Sequence, residues 1–191
     1  MNKEQLRILS LIFHRPDKEF AAYLRTAFWK DVELLGPGAA GAFATFLEEN
    51  RGKSDEDFYY ALAAEHTRLF VNAVPKVPCP PYESVWREKV AMGASTMEVL
   101  DSYRRAGLDV LGNFRDLPDH LAVELEFLYF LLSTGKTDDY ESFVKQHLSQ
   151  WVPEFCDKVE EHDRLGFYRV AAAALREFIA EEERQLLNLS S

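Results

Sequence analysis

Cysteine is scarce in this chain, with two in 191 residues, Cys79 and Cys156. They form no CxxC pair and no metal-type cluster, which points to a reduced intracellular compartment. Long apolar runs are also missing. The longest, Leu125 to Leu132, still contains Glu126, so no segment reaches membrane-spanning length and stable membrane insertion is not expected. The N-terminus carries Lys3, Glu4 and Arg7 without a small-residue cleavage site. No signal peptide is read there, and a cytoplasmic location is expected. Positive charge is in deficit: Lys+Arg 22 against Asp+Glu 32 gives −10. Phosphate binding needs clustered cations, so nucleic acid is excluded as the expected partner. Strand-type alternation, internal repeats and low-complexity tracts are absent.

Catalytic motifs are missing as well. A di-iron bundle needs Glu-x-x-His on facing helices, and the residues three before the five histidines are Leu11, Ala63, Leu117, Val144 and Val159. There is no Walker A motif, no GxGxxG and no GxSxG. His66, His120 and the cysteines make no zinc-type spacing. Cys79 beside Pro80 has the chemistry of a nucleophile, but no base is placed next to it. The expectation is a non-enzyme without cofactor or metal. The alternative is a helical nucleotide- or metal-binding regulator or enzyme using the His66, Cys79 and His120 neighbourhood.

What is present is helix-forming pattern. The apolar fraction is 47% and the charged fraction 28%, ordinary for a globular domain. Leu6, Leu9 and Phe13 recur at amphipathic spacing. Asp17 caps a second helix carrying Phe20, Leu24 and Phe28. Gly36-Pro37-Gly38 is a break, followed by a helix over about 39–50. Ser54 with Asp57 reads as a capping-box variant, and that helix runs to about Phe70. A helix over about 84–106 is expected to break near Gly93. Another spans Pro118 to Ser133, with Pro118 as its first residue. Shorter helices over about 138–148 and 153–162 lead to a last one over about 166–187. The expected fold is all-α, a single helical bundle over residues 1–191 with about eight to ten helices. A proline-rich loop at 71–83 and a hinge loop at 107–118 interrupt it.

Four prolines lie between Val71 and Pro81. Proline pre-sets the backbone, so such a loop holds a shape without secondary structure. Tyr82 and Trp86 follow, four apart. They serve either as anchors for a bound peptide or as packing that holds the loop to the bundle. Glu83 and Asp119 are candidates to receive a guanidinium; Asp119 serves equally as a first-turn carboxylate favoured by the helix dipole. His120 and Glu124 are four apart, suited to a hydrogen bond on one face. Glu126 sits inside an apolar run and needs a partner there. His66 and Arg68 read as cations at a helix C-terminus.

These blocks, in this order, resemble the TorD/DmsD/NarJ family of redox-enzyme maturation chaperones. The likeness rests on Thr67-Arg68-Leu69-Phe70, on Pro80-Pro81-Tyr82-Glu83-Ser84-Val85-Trp86 and on Leu117-Pro118-Asp119-His120. Farther on it rests on His147-Leu148-Ser149-Gln150-Trp151, Phe155 and Phe167-Tyr168. It covers about residues 5–185. It implies an all-helical, TorD-like fold without a catalytic site. The implied partner is the twin-arginine leader, or N-terminal region, of an apo molybdenum-cofactor oxidoreductase, held back from Tat export until cofactor insertion. The residues implied for peptide binding are Pro81, Tyr82, Ser84, Trp86, Asp119 and His120, to which Glu83 is added from its own chemistry. Some family members bind guanine nucleotide weakly; no motif here supports it. Two positions depart from the pattern: His66 stands where an aromatic is common, and Asn72-Ala73 replaces Gly-Pro. A monomer or a domain-swapped dimer is expected, the latter allowed by the long 107–117 connection.

Overall fold

The computed structural model describes residues 3–108 and 117–189. Among them ten α-helices form and no strand, in agreement with the all-α expectation. The helices are α1 (Lys3–Phe13), α2 (Lys18–Thr26), α3 (Pro37–Glu49), α4 (Asp55–His66), α5 (Glu83–Glu88), α6 (Ala94–Arg105), α7 (Leu121–Ser133), α8 (Thr137–Phe143), α9 (Ser149–His162) and α10 (Phe167–Leu189). Most of the expected hinge loop, residues 109–116, lies outside the described residues.

Two compact units are present. The first comprises Met1–Phe13, Pro81–Phe155 and Ile179–Ser191, and the second His14–Pro80 and Cys156–Phe178. In the first unit α1 packs along α7. Leu6 and Leu9 of α1, and Leu121, Leu125 and Leu128 of α7, are all fully buried. Each such side chain contributes about 2 kcal/mol by leaving water, so this helix pair anchors the unit. In the second unit aromatic rings make the core. Phe43 meets Phe28 edge-on with centroids 5.2 Å apart, and Phe167 lies 5.4 Å from both Phe43 and Phe46. Edge-to-face and tilted pairs at these separations add to the burial term.

Local signals explain several boundaries. The Asp17 carboxylate accepts from the Phe20 amide at 2.7 Å and starts α2. Ser54 Oγ accepts from the Asp57 amide at 3.1 Å and donates to the Asp57 carboxylate at 2.7 Å, the capping exchange read from the sequence. Gly36 sits at φ 93°, open to glycine, and Pro37 then takes the first position of α3, where its missing N–H costs nothing. The break near Gly93 is real: Lys89 closes α5 in the left-handed region, and α6 begins at Ala94. A Cβ at Gly93 would meet Glu88 Oε2 at 2.5 Å and Ser84 Cβ at 3.4 Å, so a larger residue there would displace the Glu88 carboxylate.

Three expectations need correction. α7 starts at Leu121, and not at Pro118, because the His120 ring is its cap: Nδ1 accepts from the Ala122 amide at 3.1 Å. Pro118 and Asp119 form the turn before it. Pro153 does not start a helix. It lies inside α9, which follows directly on a π-helical turn at Val144–Leu148; the wider turn upstream takes up irregularity in the hydrogen-bond ladder. Glu126 is exposed and accepts from the Ser10 hydroxyl at 3.4 Å, with no cation required; the interior carboxylate of α7 is Glu124, fully buried.

Candidate functional site

The Pro81–Trp86 block and the Pro118–His120 turn are brought side by side in the first unit. Tyr82 and His120 pair as an isolated antiparallel bridge. The Leu121 amide donates to the Pro81 carbonyl at 2.9 Å, and the Glu83 amide donates to the Asp119 carbonyl at 3.0 Å. The Tyr82 and His120 rings meet at 5.2 Å with 76° between their planes. Proline at 81 has no amide to satisfy, so its carbonyl alone enters the pairing. Tyr103 Oη donates to the Pro118 carbonyl at 2.7 Å and holds the turn from α6.

Beneath this corner lies a charge cluster closed off from solvent. Glu83, Asp119 and Glu124 are all 0% exposed. The Asp119 carboxylate accepts from the Ser84 amide at 2.9 Å, so it caps α5 instead of leading α7. Glu83 accepts from Arg87 Nη1 at 2.5 Å and sits 3.0 and 3.2 Å from His147 Nδ1. Arg87 also reaches Glu98 at 3.4 Å. Burial opposes the Arg87 charge, but Glu83 more than offsets it and drives the guanidinium's pKa up. Glu124 accepts from the Trp151 indole N–H at 3.4 Å. Burial, reinforced by Glu83 and Asp119, pushes its carboxyl well above the usual range.

Of the seven residues singled out from the sequence, Tyr82 and Trp86 are half-buried and reach the surface. Pro81, Glu83, Ser84, Asp119 and His120 are buried. The aromatic pair therefore faces outward, and the two carboxylates lie below it, engaged by α5 and Arg87. Trp86 packs edge-on against Phe155 at 5.9 Å, and Lys89 Nζ stands 5.9 Å from the Trp86 ring centre. Just beyond, Val90 is 55% and Met92 71% exposed.

The family model for the nitrate reductase delta subunit matches residues 35–157, which include both blocks. The chain belongs to the nitrate reductase delta subunit family. The Tat proofreading chaperone DmsD of Salmonella typhi is 28% identical over 189 residues, covering 93% of this chain and 86% of that protein. The chaperone protein TorD of Vibrio cholerae is 27% identical over 149 residues, covering 72% and 67%. A crystal structure described as a redox enzyme maturation protein from Archaeoglobus fulgidus superimposes with a TM-score of 0.68 at 28% identity, covering 94% of each chain. The fold of this family is thus the fold observed, and the resemblance drawn from the ordered blocks is correct.

Within this family member, Arg87 escaped the sequence reading. It is four residues after Glu83, the helical spacing for an ion pair, and that signal was available. His147 and Trp151 entered only as part of the family pattern; they come from a π turn and α9, more than 60 residues from Glu83, and nothing local places them at this corner. The neighbourhood proposed for the alternative reading is divided: His66 and Cys79 fall in the second unit and His120 in the first. Cys79 is fully buried, and burial, partly opposed by Arg68, pushes its thiol up to about 12. A thiol held neutral is a poor nucleophile. No group of three or more metal-ligating side chains occurs among the described residues. None of their helices is long and apolar enough to cross a membrane.

Proposed function

We propose that this chain is a cytoplasmic, non-catalytic chaperone that binds the twin-arginine leader or N-terminal region of a molybdenum-cofactor oxidoreductase and assists its assembly before Tat export. The observation that carries this reading is the Tyr82–His120 corner: two half-buried aromatics stand over a buried acidic cluster. A twin-arginine leader offers guanidiniums followed by an apolar segment. Trp86 already attracts a cation, Lys89, and a planar guanidinium stacks on an aromatic face better than an ammonium does. Exposed Val90 and Met92 extend an apolar surface beyond it. Lys89, at φ 62°, ends α5 in the left-handed conformation common at helix C-termini, and Met92 follows at 60°. The net charge of −10 steers a basic peptide inward.

The reading is tested by titrating the protein with a twin-arginine leader and a Lys-Lys control. Tighter binding of the arginine peptide is expected; equal affinities, or none, would sink it.

A further inference from the structure

Among the described residues, the buried corner contains more carboxylates than cations. Around Glu124, α5 contributes Glu83 and Arg87, the 118–120 turn contributes Asp119 and His120, and α6 contributes Tyr103. The π turn contributes His147 and α9 contributes Trp151. Arg87 and His147 are both taken by Glu83. Asp119 is satisfied on one oxygen by the Ser84 amide. Among the described residues no cation pairs with Glu124, and its buried Oε1 receives no donor from them. Glu83 and Asp119 are acidic neighbours of Glu124, and all three are buried. Two ionised carboxylates offer no donor between them and repel. One proton on Glu124 supplies a donor.

We propose that Glu124 is a positioning residue: a neutral carboxylic acid that donates to Glu83, orients it towards Arg87, and gives up its proton when a guanidinium docks at the corner. The resting pair then carries one negative charge, which Arg87 balances. An added guanidinium brings a second positive charge close by. It stabilises the ionised form of Glu124, and the released proton passes to solvent buffer. This second step rests on the peptide-binding reading above; the resting proton does not. Burial raises the pKa of the Glu124 carboxyl, as do its acidic neighbours, which is consistent with this arrangement.

Three measurements decide it. The first needs no variant and no ligand. Carbon-detected NMR of the wild-type protein with labelled glutamate carboxyls should show one glutamate carboxyl still protonated at pH 7; its absence overturns the proposal. The second compares stability with Glu124→Gln, which keeps a neutral donor of the same shape. The folded state holds a proton that the unfolded chain releases above about 4.5. The wild-type unfolding constant should therefore rise relative to that of Glu124→Gln, by about tenfold per pH unit, until the folded group itself ionises. A ratio that does not change with pH means that Glu124 is merely packed. The third is calorimetric titration with a twin-arginine peptide in two buffers of different ionisation enthalpy. Wild type should release up to one proton per peptide, and Glu124→Gln none while still binding. Equal release from both overturns the ligand-linked step. Absence of binding by either protein sinks the peptide reading instead, and the first two measurements still decide whether Glu124 is the neutral acid.

Discussion

The Asp119 carboxylate and the Ser84 amide, 35 residues apart in the chain, are joined by a 2.9 Å hydrogen bond with both residues fully buried. Asp119 thereby anchors the start of α5, and its own carbonyl accepts from the Glu83 amide. A bond to a charged acceptor contributes roughly 1.5–3 kcal/mol. Asp119→Ala should therefore lower stability in chemical denaturation by about 2 kcal/mol, with Asp119→Asn milder because an acceptor oxygen remains. An unchanged midpoint for Asp119→Ala would show that the α5 terminus has no need of it.

Tyr82 and Trp86 present the outward surface. Replacing both by alanine should weaken the arginine peptide by about 30-fold, the size of a single hot spot of about 2 kcal/mol. Fluorescence anisotropy with a labelled leader would read this, and far-ultraviolet dichroism should show helical content retained. Binding that survives the double change places the peptide on another surface.

In the second unit, Glu65 accepts from Arg68 Nε at 2.8 Å and Nη2 at 2.6 Å, and from the Arg164 amide at 2.6 Å. Burial works against its charge, but these donors prevail and hold its carboxyl below the ordinary 4.5. A depressed folded value means the stabilisation is present above 4.5 and is lost as pH falls through that lower value. Glu65→Gln should cost about 2 kcal/mol at pH 7 and progressively less in acid, measured by urea unfolding at a series of pH values. A cost that stays constant down to pH 2 would assign the loss to packing alone.

Cys79 is buried with its thiol pushed up to about 12. It should resist alkylation at pH 8 in the native protein and react promptly once unfolded, as followed by mass spectrometry. Cys79→Ala should bind the leader like wild type. Fast native labelling, or lost binding in the alanine variant, would revive a reactive role for this thiol.

Much of the fold was legible because its signals are local. Asp17 and Ser54 cap within their own first turns, Gly93 marks the break before α6, and Leu6, Leu9 and Phe13 recur on one face. The start of α7 was misplaced by three residues because Pro118 obeys a local rule, whereas the cap is an imidazole, a side chain seldom counted among caps. Glu126 was read as lying within the apolar run, yet it is exposed. On a helix that is apolar on most sides, periodicity alone does not say which carboxylate faces the core.

The sequence by itself determined the helical class, most helix positions, the family and the two short blocks that meet at the corner. These follow from capping chemistry, apolar spacing and motif order, all carried along the chain. Tertiary structure alone decided that Asp119 faces α5, that Glu83 is shared by Arg87 and His147, and that Glu124 is buried with Oε1 unpartnered among the described residues. Those are facts of burial and of separations of 35 and 64 residues along the chain. An electrostatic interaction is set by distance in space and by exclusion of water, neither of which is written in residue order.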